Sequence, residues 1–328
     1  MTLHLDQEVF KLAIEQTAKE IGIKEIYVEK DYWVTYALHA IFHDEIGKHT
    51  VFKGGTALLK CDALIQRFSE DIDLVILRQG NESSNQLGNK VKRISKVVSD
   101  ILPEIPVVNI TQKMGMNRKT AHIYPQAFVG SFGQVRDVII AEATWLGYFE
   151  PYVTRKVSSF IFQMLQRVGQ EVLAEQYGLL PFEVLVLDPK RTLCEKIMSL
   201  IRFSYTNQPL NDLKNKIRHT YDLHKLLELG EFSVFFDSKQ FDTMLLKVAN
   251  DDIKSYKNNN SWLQYHPKEA LIFAETEIVW TSLKEAYNGT FRNLVFGKFP
   301  KDGDILKTLL RIKDRVSKVE WRVGLGQL

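Results

Sequence analysis

The chain has 328 residues, 45% of them hydrophobic and 25% charged, and its formal net charge is +3. This balance is typical of a globular protein with a substantial core, and the length favours two domains or one large domain with an attached lobe. A net excess of three positive charges does not establish nucleic-acid binding. The two cysteines, Cys61 and Cys194, exclude a disulfide scaffold and a cysteine-rich zinc site, and they favour a reducing compartment.

The N-terminal residues lack the positive segment and apolar stretch of a secretory signal. No run approaches the ~18 consecutive apolar residues that a transmembrane helix needs. We therefore expect a cytoplasmic protein with no membrane partner.

Helical periodicity dominates the first predicted segment, residues 7 to about 42, where apolar residues recur at three- and four-residue spacing. Residues 50–53 then predict a short strand that ends at Gly54-Gly55. Thr56 is placed to cap the helix that follows. A second strand is predicted over residues 72–77, which are rich in β-branched side chains.

The rest of the chain changes character near Pro151. Before that point a polar loop is predicted over residues 79–90 and a helix from about 89 to 101; beyond it, helical patterns dominate. Further strands are predicted at residues 107–110, 121–124, 135–144 and 182–187. The sequence therefore predicts an α+β domain over residues 1–187 and a helical domain over residues 188–328.

Two acidic residues on the second strand carry the strongest chemical signal. Asp71 and Asp73 are two residues apart, so in a strand they point to the same face. Carboxylates held side by side repel one another unless a cation lies between them, and Mg²⁺ prefers carboxylate and phosphate oxygens. Gly54-Gly55, at the preceding turn between strand and helix, allows backbone N–H groups to approach a phosphate. Together these features predict a magnesium and nucleotide site.

A third carboxylate is expected if two metal ions take part in the reaction. Glu142 lies within a predicted apolar strand, where an unpaired carboxylate is costly. Asp137, nearer the beginning of that strand, is the alternative, and Glu142 could instead be an edge-strand charge that faces solvent.

A lysine and an aspartate in the second half have two interpretations each. Lys196 lies beside the apolar stripe of a helix that Asp188 is placed to cap, so it either forms a local ion pair or contacts a nucleotide phosphate. Asp222 lies four residues after Arg218, and either forms a surface ion pair or orients Lys196 or the acceptor.

Three segments resemble the AbiEii/AbiGii toxin family, which belongs to the DNA polymerase β-like nucleotidyltransferase superfamily and includes the MenT toxins. They are Glu-Lys-Asp-Tyr-Trp-Val at residues 29–34, Val-Phe-Lys-Gly-Gly-Thr-Ala-Leu at 51–58, and Arg-Phe-Ser-Glu-Asp-Ile-Asp-Leu at 67–74. Shorter likenesses lie at residues 193–197 and 218–223. The resemblance implies a polymerase β-like nucleotidyltransferase domain with a mixed sheet, followed by a helical C-terminal domain.

The resemblance also implies roles for individual residues. Asp71 and Asp73 correspond to metal ligands, while Gly55 and Thr56, with Gly54, correspond to residues that hold the triphosphate. Ser69 corresponds to a serine beside the metal site that is a regulatory phosphorylation point in some relatives.

Two residues of the second half complete this correspondence. Lys196 corresponds to a lysine that contacts nucleotide phosphates, and Asp222 to a further acidic residue needed for activity.

The function that the resemblance implies is Mg²⁺-dependent transfer of a nucleotide from NTP to an RNA acceptor, the 3′ end of tRNA in MenT-like relatives. Such proteins are toxins of toxin–antitoxin systems linked to abortive phage infection, so we expect a cognate antitoxin from a neighbouring gene. Two alternatives stay open at this point. The same site could move the γ-phosphoryl group, as in a kinase, or the chain could bind nucleotide or RNA without catalysis.

Overall fold

A computed structural model describes residues 1–147, 149–256 and 259–323. The chain divides into two compact units, Met1–Leu187 and Asp188–Leu328. The first unit contains every strand of the described residues, and the described part of the second contains helices only. The predicted α+β class, with a mixed sheet and a helical C-terminal region, is confirmed.

The strands are β1 (Thr50–Lys53), β2 (Ile72–Ile76), β3 (Glu104–Ile105), β4 (Gln112–Lys113), β5 (Asn117–His122), β6 (Ile139–Thr144), β7 (Tyr152–Val157) and β8 (Phe182–Leu187). They form one mixed sheet in the order β3-β5-β6-β2-β1-β8-β7, and β4 pairs with β5. The central strand β2 is antiparallel to β1 and parallel to β6.

The first unit contains helices α1 (Gln7–Ile21), α2 (Glu25–His43), α3 (Gly54–Lys60), α4 (Ser84–Ser99), α5 (Phe160–Arg167) and α6 (Glu171–Gln176). The second contains α7 (Pro189–Phe203), α8 (Pro209–Asn215), α9 (Ile217–Glu228), α10 (Gly230–Asp237), α11 (Lys239–Ser255), α12 (Leu271–Ala274), α13 (Thr276–Asn288) and α14 (Asp302–Val316). Short 3-10 helices lie at Leu3–Leu5, Glu45–His49, Ser261–Gln264, Pro267–Glu269 and Thr290–Leu294. No helix among the described residues is long and apolar enough to cross a membrane.

The two faces of the sheet differ because side chains alternate along each strand. On one face, Phe52 and Leu74 belong to the large core that also contains α2 and α4. On the other face, Val51 and Val75 form a smaller apolar cluster with Leu187. We call this second surface the site face, because alternation also places the side chain of Asp73 on it.

Helix α2 is buried along most of its length, and its buried residues include the charged run Glu29-Lys30-Asp31. A helix that is buried on nearly all sides must satisfy every charge internally, because a lone buried charge costs several kcal/mol. The charges of these three side chains must therefore be compensated by neighbouring polar or charged groups.

Several predicted boundaries are wrong for local reasons. The first helical segment is two helices, because Gly22 adopts a left-handed conformation (φ 72°) and ends α1. Helix α4 begins at Ser84 rather than near residue 89, because Ser83 and Gln86 form a capping box inside the predicted polar loop. Residues 107–110 are not a strand, and strand β7 was not predicted. The strand over residues 182–187 is confirmed.

Candidate active site

The centre of the site face carries a row of four charged residues on adjacent strands. Asp73 on β2 lies opposite Lys53 on β1 and beside Glu142 on β6, and Glu142 lies opposite Lys119 on β5. Paired positions on neighbouring strands point to the same face, so these four side chains share one surface. We call this set the carboxylate row; its charges run positive, negative, negative, positive.

Register distinguishes the two residues considered for the third carboxylate. Glu142 is paired directly with Asp73, whereas Asp137 precedes β6 and has an exposed side chain. Glu142 is thus the acidic residue that the sheet brings beside Asp73. Its carboxylate accepts hydrogen bonds from Lys119 Nζ at 2.8 Å and from Asn117 Nδ2 at 3.3 Å.

Asp71 precedes β2 by one residue. We call Asp71, Asp73 and Glu142 the acidic cluster. Its Oδ1 lies 3.5 Å from Nη1 of Arg136. The structure raises the pKa of Asp73 to about 7, first because the carboxyl group is buried and then because Asp71 and Glu142 repel its negative charge. Lys53 and Lys119 oppose this shift without cancelling it. The three carboxylates therefore form one electrostatic unit that a cation would stabilise.

The turn at Gly54-Gly55 is shaped around these acids. Gly54 has φ 82°, a left-handed conformation, and a Cβ at this position would overlap Oδ2 of Asp73. A Cβ on Gly55 would lie 2.7 Å from Nη2 of Arg67 and 3.1 Å from Oγ of Ser69. At both positions a side chain would require neighbouring polar side-chain atoms to shift.

Thr56 does not cap helix α3, contrary to the sequence-based expectation. The helix begins at Gly54, and Lys53 is the capping residue without a side-chain capping bond. Thr56 lies inside the first turn and donates its hydroxyl to Ser69 Oγ at 3.0 Å, and both residues are buried. The structure thus brings Gly55, Thr56 and Ser69 together near strand β2, which carries Asp73.

Helix α2 supports this region through residues that sequence reasoning did not assign to the site. Lys30 donates to Glu70 Oε2 at 2.7 Å, and both side chains have no exposed surface. Burial raises the pKa of the Glu70 carboxyl, while the ammonium group of Lys30 opposes that shift. The adjacent residue, Asp31, accepts from Lys60 Nζ of α3 at 2.6 Å. The signal available in the sequence was the charged run 29–31 within an otherwise apolar helix.

The second unit contains its own buried ion pair. Lys196 Nζ on α7 lies 2.7 Å from Asp222 Oδ2 on α9, with 6% and 0% of the side chains exposed. Asp188 caps α7 by accepting a hydrogen bond from the backbone N–H of Lys190, as predicted. Asp222 is buried, so its ion pair is not the surface ion pair that was one of its two interpretations. That Asp222 orients Lys196, and that Lys196 contacts phosphate, stay predictions.

The chemistry of Asp71, Asp73 and Glu142 fits a hard divalent cation, because all three carry carboxylate oxygens, just before β2, on β2 and on the adjacent strand β6. Across the ranges that the structure describes, no three His, Cys, Asp or Glu side chains are already arranged to hold a metal ion. Asp71 and Glu142 instead contact Arg136 and Lys119. Binding a cation at this position would require those contacts to change.

Asp73→Asn should stabilise the metal-free protein at pH 8 by about 2–4 kcal/mol. The folded pKa of Asp73, about 7, exceeds its ordinary value of 3.8. Below pH ~4 Asp73 is protonated in both the folded and the unfolded state and does not lower the free energy of unfolding. The free energy of unfolding falls as the pH rises from ~4 through about 7, where the folded protein must ionise this group. Urea unfolding in EDTA at pH 8 and pH 4.5 measures the effect, which should shrink at the lower pH.

The matched control is Asp137→Asn, which removes an exposed carboxylate outside the carboxylate row. It should show no comparable gain at pH 8. Equal stability of Asp73→Asn and wild type at pH 8 would contradict this electrostatic account of the acidic cluster.

Comparison with known proteins extends these observations. Residues 36–306 match the model of the nucleotidyl transferase AbiEii toxin family, a type IV toxin–antitoxin system. Among solved structures, the chain is similar to MenT4, a nucleotidyltransferase toxin from Mycobacterium tuberculosis, with a TM-score of 0.57 and 13% identity over 94% of this chain and 90% of that one.

A provisionally assigned nucleotidyltransferase from H. pylori matches with a TM-score of 0.44 and 10% identity, covering 90% of this chain and 96% of that one. No curated protein sequence matches the chain. The likeness to MenT4 shows a shared fold, and the family match extends from within α2 into α14. The predicted resemblance is confirmed, and the chain belongs to the AbiEii nucleotidyltransferase toxin family.

Proposed function

We propose that this protein transfers a nucleotide from NTP to an RNA acceptor, the 3′ end of tRNA, and that Asp71, Asp73 and Glu142 hold Mg²⁺ during the reaction. The observation that carries the proposal is the pairing of Asp73 with Glu142 at the centre of the sheet, with Gly54 folded directly against Asp73. The family is one of nucleotidyltransferase toxins, which supports the reaction type.

The residues of the first unit have separate tasks in this proposal. Asp71, Asp73 and Glu142 bind the cation, and the backbone N–H groups of the Gly54-Gly55 turn approach the triphosphate. When bound, Mg²⁺ neutralises the triphosphate and increases the acidity of the acceptor hydroxyl.

The transfer step makes one bond and breaks one. The acceptor oxygen attacks the α-phosphorus and forms a new P–O bond, while the bond from the α-phosphorus to the oxygen that bridges to the β-phosphate breaks. Pyrophosphate leaves with that electron pair. Asp73 or Glu142 accepts the proton of the acceptor hydroxyl.

Further roles are assigned to four residues that the family resemblance singles out. Lys196 contacts nucleotide phosphates, Asp222 holds the lysine in place, and Thr56 and Ser69 support the turn that receives the triphosphate. The buried pair of Lys196 and Asp222 and the hydrogen bond between Thr56 and Ser69 support these roles. We place the enzyme in the cytoplasm, opposed by a cognate antitoxin from a neighbouring gene.

The position of an isotope label on the NTP distinguishes the proposal from its alternatives. The protein is incubated with Mg²⁺, total tRNA and each of the four NTPs labelled on either the α- or the γ-phosphate. Transfer of the α-label to tRNA is the expected result. Transfer of the γ-label would indicate a kinase-like reaction, and nucleotide binding without transfer of either label would indicate a binding module; each of these results overturns the proposal.

A further inference from the structure

Arg136 lies in the segment between β5 and β6, and two buried charges hold its backbone. Its N–H donates to Glu70 Oε1 at 3.1 Å, and its carbonyl oxygen accepts a hydrogen bond from Lys30 Nζ. Glu70 directly precedes Asp71 in the chain. The backbone of Arg136 is therefore fixed to the same segment that carries the first carboxylate of the acidic cluster.

Helix α2 holds the same segment at two more points. The hydroxyl of Tyr27 donates to the carbonyl of Phe132 at 3.2 Å, and the carboxylate of Glu29 accepts the backbone N–H groups of Ala127 at 2.6 Å and Phe128 at 3.1 Å. Burying charged groups carries a desolvation cost, so a surface segment held by Glu29 and Lys30 is positioned at the expense of stability. Such an arrangement indicates that the position of Arg136, which lies on this segment, is important.

The guanidinium group of Arg136 is not part of the core. Its side chain is 40% exposed, and its contact with Asp71 is long, at 3.5 Å, with Asp71 itself 29% exposed. An ion pair of this exposure contributes little to folding. The guanidinium of Arg136 would also compete with any cation that binds Asp71. The ion pair with Asp71 therefore does not explain why the backbone of Arg136 is held in place.

We propose that Arg136 is a nucleotide-binding residue whose guanidinium donates to phosphate oxygens of the bound NTP when a divalent cation occupies Asp71. This inference rests on the proposed function and adds a residue to it. A fixed backbone with a long, half-exposed side chain allows the guanidinium to leave Asp71 while it stays beside the site. The planar fork of arginine matches phosphate oxygens in a way that lysine does not reproduce.

Binding measurements test this assignment without requiring turnover. The α,β-methylene analogues of the four NTPs are titrated, with Mg²⁺, into wild type, Arg136→Ala and Arg136→Lys. Arg136→Ala should raise the Kd of the best-bound analogue at least about tenfold, and Arg136→Lys should restore only part of the loss. The matched control is Arg155→Ala, which removes a similarly exposed arginine that contacts Asp62 at 2.8 Å; its Kd should equal that of wild type.

Titration with Mn²⁺ alone separates a direct role from a structural one. Arg136→Ala should bind Mn²⁺ as tightly as wild type or more tightly, because a competing cation is removed. Weakened Mn²⁺ binding would indicate a distorted site and overturn the inference, as would a nucleotide Kd within twofold of wild type. If wild type binds none of the analogues, the proposed function fails as well. If wild type and Arg136→Ala bind an analogue equally well, only the inference about Arg136 fails, so the two failures are distinguishable.

Discussion

Replacing both Asp71 and Asp73 with asparagine should lower the rate of nucleotidyl transfer by about 10³-fold or more. The double variant loses two of the three carboxylates that would bind the cation, and with them the charge that holds the triphosphate in place. The initial rate of α-label incorporation into total tRNA measures the loss.

We expect the double variant to stay folded, because relief of like-charge repulsion at Asp73 should stabilise the fold at pH 8. Loss of transfer would then not result from unfolding. A thermal melt of the double variant verifies this. Asp137→Asn is the matched control and should retain wild-type transfer. If the double variant keeps a tenth of the wild-type rate, these carboxylates do not perform the catalytic role assigned to them.

Lys30→Met should reduce the free energy of unfolding by about 3–5 kcal/mol at pH 8. The change leaves the fully buried carboxylate of Glu70 without its cationic partner, and it removes the hydrogen bond to the carbonyl of Arg136. Because burial raises the pKa of Glu70, protonation partly relieves the defect, so the loss should be smaller at pH 5 than at pH 8. Urea unfolding at the two pH values measures both effects.

Two variants control this experiment. Lys96→Met removes a cation from an exposed pair with Asp100, whose side chains are 64% and 54% exposed, and should change stability by less than about 1 kcal/mol. Lys30→Met/Glu70→Gln should recover part of the loss, because the uncompensated charge is gone. Equal losses for Lys30→Met and Lys96→Met would show that the buried pair has no special importance.

Local patterns in the sequence were enough to predict the strand, Gly-Gly turn, helix and acidic strand of the first unit. Strand β2 follows from its β-branched residues, and alternation along it places the side chain of Asp73 on the site face. Asp71 lies one residue before β2, so strand alternation alone does not fix the direction of its side chain. The strand over residues 182–187 and the helices beyond it were also accessible, because each depends on residues close together in the chain.

Pairings between distant segments could not be predicted in the same way. The position of Glu142 beside Asp73 and of Lys53 and Lys119 at the ends of the carboxylate row depends on the register of four strands, which no local pattern fixes. The ion pair of Lys196 and Asp222 likewise joins two helices, and only the family resemblance singled out both residues before the structure showed the contact.

Arg136 carries no sequence signal, because an arginine before a strand is an ordinary surface residue. Its significance comes from the buried groups of Lys30 and Glu70 that hold its backbone, and those contacts span 106 and 66 residues of the chain. The charged run in α2 was visible in the sequence, but its partners were not. Buried charges therefore reveal which distant segments the fold must hold together.

The most direct test of the metal site is anomalous diffraction from crystals grown with Mn²⁺ and the α,β-methylene analogue that binds best. We predict an anomalous peak at inner-sphere distance from carboxylate oxygens of Asp71 and Asp73, with the triphosphate of the analogue beside Gly54. Mn²⁺ bound elsewhere, while these two carboxylates face bulk solvent, would contradict the account.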